Sequence, residues 1–132
     1  MKITPIILGL LCFMLVASCK SKFKGEAKVI SPDEMHTLMQ LDNVQLVDVR
    51  TPKEHNKEFI PNSQNIDFLS PTFSEDIKNL DKNKPVLLYC ATGRRSANCA
   101  QELLKAGFVK VYDLNGGISK WKHDGFETDS NL

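Results

Sequence analysis

The sequence predicts a single α/β domain, a mainly parallel central sheet of about five strands with helices on both faces. Three observations predict it. Short apolar runs rich in β-branched residues (Val44–Arg50, Val86–Cys90, Phe108–Leu114) recur between stretches of helical period. Two of these runs end in glycine-bearing turns, Ala91–Gly93 and Asn115–Gly117, at the edge where open α/β sheets keep their ligand crevice. The 132 residues are 42% hydrophobic and 25% charged, the balance of one ordinary globular domain with a core of useful size. No internal repeat, low-complexity segment or second domain interrupts the pattern.

Residues 1–18 are expected to be an address removed from the mature protein. Lys2 is a basic start, and Ile6–Val16 is an apolar run of eleven residues. A helix of that length spans only about 16 Å against roughly 30 Å of hydrocarbon, so it suits a signal peptide better than a membrane span. Leu15-Val16-Ala17-Ser18-Cys19 follows and resembles the lipobox of bacterial lipoproteins. That resemblance implies cleavage after Ser18, loss of Cys12, a lipid on Cys19 and an extracytoplasmic, membrane-anchored protein. Without residues 1–18, 16 basic and 16 acidic side chains remain. Residues 19–26, with Lys20, Lys22 and Lys24, are expected to form a solvated tether, and residues 27–132 the folded domain.

The elements follow in order. Ala27–Ile30 is a candidate first strand. Ser31-Pro32-Asp33-Glu34 has Ser at the N-cap, Pro at N1 and Glu at N3, a full capping box, with Met35, Leu38 and Met39 next at core spacing and His36 toward solvent. Asn43 ends that helix. Val44–Arg50 is a strand, and Thr51-Pro52-Lys53-Glu54 opens another capped helix on which His55 is expected to be exposed. Asp48 and Arg50 share one side of the strand by its period of two; a local ion pair fixing the strand-to-helix turn is their expected role. Phe59-Ile60-Pro61 and Asn65-Ile66 suggest a short strand bounded by a turn, and Thr72 with Glu75 suggests a third capping box. After Val86–Cys90 a helix begins near Ser96, with Ala97, Ala100, Leu103 and Leu104 as its apolar stripe and Gly107 at C′. Phe108–Leu114 is the last strand, and Ile118 and Trp121 begin a terminal helix ending near Gly125.

Chemistry concentrates at Cys90-Ala91-Thr92-Gly93-Arg94-Arg95-Ser96. A cysteine at a strand end faces a helix N-terminus, where converging backbone N–H groups and the helix dipole favour an anion. The thiolate is the nucleophilic form of cysteine, and Arg94 and Arg95 add two cations. The four cysteines lack the paired close spacing of a zinc site. A formal net charge of +1 makes no electrostatic case for nucleic acid.

Three segments together resemble the rhodanese-like sulfurtransferases. Leu46–Glu54 is similar to that family's strand "DVR" followed by an acidic helix. The Cys90 loop is similar to its pattern C-x-x-G-x-R-[ST]. Gly107-Phe108 through Gly116-Gly117-Ile118 to Trp121 is similar to its ending. The match covers roughly residues 27–127. One segment departs: Glu58-Phe59-Ile60-Pro61-Asn62-Ser63 stands where the family usually reads G-H-I-P-G-A.

The resemblance implies attack by Cys90 on the sulfane sulfur of a small donor such as thiosulfate, departure of sulfite, and a Cys90 persulfide that a thiol acceptor discharges. It implies Ala91 to Ser96 as the persulfide-binding loop, Arg95 as the motif arginine and Arg94 as a donor contact. It requires neither metal nor organic cofactor, and a monomer is expected. Cys-based phosphatases place five residues between Cys and Arg, whereas Cys90 and Arg95 have four between them, a cradle sized for one sulfur. Two alternatives stay open: a module that binds or senses sulfur without turnover, and a thiol–disulfide protein pairing Cys90 with Cys99. A small core residue is the expected role of Cys99.

Overall fold

The computed structural model describes residues 24–132. The expected leader, Cys12, the Cys19 anchor and most of the tether lie outside the described residues.

Five strands form one sheet: β1 (Glu26–Ile30), β2 (Gln45–Asp48), β3 (Gln64–Asn65), β4 (Val86–Tyr89) and β5 (Lys110–Leu114). Their order is β1-β5-β4-β2-β3, and every neighbouring pair is parallel. Among the described residues four helices connect them, α1 (Pro32–Leu38), α2 (Pro52–Lys57), α3 (Phe73–Asp76) and α4 (Arg94–Lys105), and α5 (Gly117–His123) follows the last strand. A 3₁₀ turn, Ile77–Asn79, continues α3.

The two faces of β4 explain the two cores. Val86, Leu88 and Cys90 point to one side, where Cys99, Ala100 and Leu103 of α4 cover them. Leu87 and Tyr89 point to the other, against Met35 of α1 and Ile118 and Trp121 of α5. All of β4 is buried, as a central strand covered on both faces must be.

Two of the expected boxes form their N-cap bond, without the reciprocal one from the cap's backbone N–H to the glutamate. The Glu34 N–H donates to Ser31 Oγ at 3.2 Å, and the Glu54 N–H donates to Thr51 Oγ1 at 3.3 Å. The third does not. Thr72 has φ −95° and ψ 6°, outside the extended region an N-cap needs, and its hydroxyl donates to Asp76 Oδ2 instead. Glu26, assigned to the tether from the sequence, is the first residue of β1, and α4 starts two residues earlier than Ser96. Phe59 and Ile60 are not a sheet strand. Phe59 makes an antiparallel bridge to Asp129, while Pro61 has no N–H to donate and Asn62 turns the chain at φ 68°. Gly107 does take the C′ position, at φ +95°.

Candidate active site

Cys90 follows the last residue of β4, and α4 begins four residues later. Gly93 is the N-cap of α4 at φ +108°, a left-handed conformation that suits glycine. That turn aims the Gly93 N–H at Cys90, and it donates to Sγ at 3.0 Å. Ser96, fully buried in the first turn of α4, places its Oγ 3.3 Å from the same sulfur and donates to Gly93 O at 3.3 Å. Sequence spacing alone thus brings a sulfur, an amide donor and a hydroxyl together at the end of a twelve-residue helix.

A second glycine turn presses against the loop from behind. The Ile118 N–H donates to Cys90 O at 2.9 Å and the Ser119 N–H donates to Ala91 O at 3.1 Å. Gly117 has φ +60°, and a Cβ there would lie 2.5 Å from both carbonyl oxygens. Only glycine fits.

The two arginines are placed differently. Arg94 is exposed. Arg95 reaches α2, where Nη1 and Nη2 donate to Glu54 Oε1 and Oε2 at 2.9 and 2.8 Å. A planar fork on a carboxylate is the geometry that fixes orientation as well as charge. The Arg95 hydrogen bond, opposed by partial burial, holds the Glu54 carboxyl below its ordinary value. The pair is partly exposed, so its contribution is about 1 kcal/mol at most. Because the folded-state value is depressed, that contribution is present above the ordinary carboxylate range and is lost as pH falls through the depressed value. Denaturant unfolding of Glu54→Gln against wild type is therefore expected to show a stability gap near neutral pH that closes in acid; a pH-independent gap would contradict the pairing.

Asp48 and Arg50 meet beside this clamp. Arg50 Nη2 donates to Asp48 Oδ2 at 2.7 Å, Nε donates to Oδ1 at 3.0 Å, and the Arg50 backbone N–H donates to Oδ1 at 3.0 Å. Arg50 also lies 5.6 Å from the centre of the Tyr89 ring. Burial opposes the Arg50 charge, but the Asp48 carboxylate outweighs it and raises the guanidinium's pKa. His55, expected to be exposed, is not: its side chain is 12% accessible, Nδ1 lies 2.8 Å from Asp48 Oδ2, and the ring stacks on Phe59 at 4.8 Å. The amphipathic period of a six-residue helix cannot show a carboxylate arriving from the preceding strand.

The departing segment 58–63 is tied in by Tyr89. Its phenol oxygen accepts from the Ile60 N–H at 3.0 Å and lies 2.9 Å from Ser63 Oγ. Burial, foremost, pushes the phenol's pKa up and keeps it protonated.

Cys99 is buried on α4, and burial, with the nearby charges of Asp113 and Cys90, pushes its thiol up to about 12. A thiol held in that form supplies almost no thiolate for exchange at neutral pH. The site residue that sequence reasoning missed is Glu54, hidden as a capping residue.

Comparison with known proteins places this geometry. The sequence profile of the rhodanese-like domain matches residues 31–124. The thiosulfate sulfurtransferase GlpE of Coxiella burnetii is 35% identical over 104 residues, covering 79% of this chain and 95% of that protein. A crystal structure of a rhodanese-like domain protein from Staphylococcus aureus is 33% identical, with a TM-score of 0.64 over 78% of this chain and 99% of that one. A rhodanese-related protein from Thermoplasma volcanium is 28% identical, with a TM-score of 0.68 over 77% of this chain and 97% of that one.

Proposed function

The chain belongs to the rhodanese-like family, and on that premise we propose that it is a sulfurtransferase working through a persulfide on Cys90. The observation supporting this most directly is the cradle itself: Cys90 Sγ at a helix N-terminus, accepting from the Gly93 N–H at 3.0 Å with Ser96 Oγ at 3.3 Å. Those groups stabilise a negative sulfur without a metal.

Cys90 thiolate attacks the outer sulfur of a small donor such as thiosulfate. The Sγ–S bond forms, the donor's S–S bond breaks, and its electron pair leaves with sulfite. Exposed Arg94 meets the anionic donor, while Arg95, held by Glu54, braces the loop. A thiol acceptor, or cyanide in an assay, then takes the outer sulfur and returns Cys90 to thiolate, which requires ping-pong kinetics. The full chain incubated with thiosulfate should gain the mass of one sulfur on the Cys90 peptide and release thiocyanate with cyanide. Absence of both would refute the reading; a sulfur gain that no acceptor discharges would make the chain a binding module.

We also propose that Cys19 carries a lipid that anchors this chemistry outside the cytoplasm, a reading supported by Leu15–Cys19 after the apolar run. A Cys19→Ala variant is then expected to leave the membrane fraction; one that stays would overturn the anchor.

A further inference from the structure

We propose that β1 is an interface for a second copy of this chain: two β1 strands pair antiparallel about Ala27 and join the two sheets into one of ten strands. This dimer replaces the monomer expected from the sequence. It draws on no atom of the Cys90 loop, so it stands or falls independently of the sulfur chemistry.

β1 is an edge strand, with β5 on one side and no strand on the other among the described residues. The hydrogen bonds to β5 reveal which main-chain groups are left open. The Glu26 N–H donates to Val109 O at 3.0 Å, and Ile30 O accepts from the Asn115 N–H at 2.8 Å. Alternate residues of a strand turn their N–H and C=O to opposite sides. Glu26, Lys28 and Ile30 therefore face β5, while Gly25, Ala27 and Val29 face outward. An open row of this kind is a template for another strand. Its usual protections are thin here. β1 contains no proline, and Val29, 61% exposed, is the one exposed large apolar side chain on the described strands.

Charge selects the partner and the register. An antiparallel pair centred on Lys28 would set Lys28 against Lys28, and like charges directly opposite are destabilising. Centred on Val29, it would set Lys28 against Ile30 and run Glu26 into Pro32, where α1 has begun. Centred on Ala27, it sets Glu26 against Lys28 twice, once on each side of the two-fold axis. The main chain agrees with that last choice. Ala27 meets Ala27 and Gly25 meets Val29 as pairs that exchange N–H···O bonds, and these are the residues facing outward. Glu26 and Lys28 become the non-hydrogen-bonded pairs, whose side chains stand closer. Both side chains are exposed. Neither makes an ion pair among the described residues, although Glu26 lies opposite Lys110 on β5.

The flanks fit the same register. Lys24 of one copy comes opposite Ile30 of the other, beside a groove of about 400 Å³ lined by Ile30, Asp33 and Glu34. Asp33 and Glu34 make no ion pair among the described residues either, so an acidic flank receives the lysine. On the other face Ala27 and Val29 lie beside Ala97 and Ala100 of α4, small side chains that leave room for a neighbouring strand. One short strand per copy is at the small end of specific interfaces, so the association is expected to be weak and concentration-dependent. The paired strands run in opposite directions, which places the two Cys90 loops at opposite ends of the joined sheet.

The test is cross-linking of the full chain in mild detergent, with unlabelled and nitrogen-15-labelled copies mixed equally at about 1 mM. A carbodiimide joins a carboxylate to an amine only where the two already touch. Expected is a Glu26–Lys28 isopeptide between peptides of different label. A link found only within one label, or none between these residues, overturns the proposal. Sedimentation over a concentration series then checks the register. Lys28→Glu and Glu26→Lys should each weaken association about tenfold by setting like charges opposite, and the two together should restore it to within about threefold of wild type. A wild-type chain that stays monomeric throughout the series, or a double variant no tighter than the single ones, overturns it. The cross-link is read on the unsubstituted chain, so a variant that fails to fold leaves the test standing.

Discussion

Replacing Cys90 with serine is expected to remove sulfur gain from thiosulfate and thiocyanate release entirely, a fall on the order of 10³-fold or more. Serine keeps the shape of the side chain and its hydroxyl can accept from the Gly93 N–H, so the cradle should survive. What disappears is a sulfur nucleophile, whose thiolate attacks sulfane sulfur readily where a serine hydroxyl does not. Circular dichroism and melting temperature should stay close to wild type while intact mass shows no adduct. Retained transfer would move the nucleophile elsewhere, and Cys99, the other described cysteine, has its thiol pushed up to about 12. The outcome therefore discriminates sharply.

Asp48→Ala is expected to cost the most stability, about 3–5 kcal/mol, because it leaves a buried guanidinium without its carboxylate. Asp48 is fully buried, and Arg50 is 5% exposed. The variant strands two Arg50 side-chain donors, the Arg50 backbone N–H and His55 Nδ1 together. For a domain of this size the melting temperature should fall by roughly 10–20 °C. Asp48→Ala combined with Arg50→Met should recover part of the loss, since a buried pair replaced by apolar groups costs far less than one charge left alone. Chemical denaturation of the single and double variants measures both. A single variant with the wild-type midpoint would mean that Arg50 is held by its remaining acceptor, Glu58 O.

The strands and the order of elements were legible because each rests on a local signal. Val86–Tyr89 is continuously apolar as only a strand buried on both faces need be, and Ser31 and Thr51 announce their helices by capping chemistry. The cysteine loop was legible for the same reason, a strand end followed by a glycine and a helix start. The misreadings were of two kinds. Thr72 and Glu75 have the composition of a cap, but the loop before them sets a backbone that cannot use it. His55 and Glu54 take their meaning from partners on other elements: Asp48 at the end of β2 for His55 and Arg95 of α4 for Glu54. Periodicity reports which face a residue takes and says nothing about what waits there.

The turn at Gly116-Gly117 has a bearing on how the site comes into being during folding. Cys90 to Ser96 contain both groups that hydrogen-bond the sulfur among the described residues, yet the loop's carbonyls are held by N–H groups of Ile118 and Ser119. Between those two stretches the chain must complete α4, cross over and add β5 alongside β4. A nascent chain ending before this turn would present its cysteine on an unsupported loop. The cradle around the sulfur therefore takes its final shape only when nearly the last of the domain is in place.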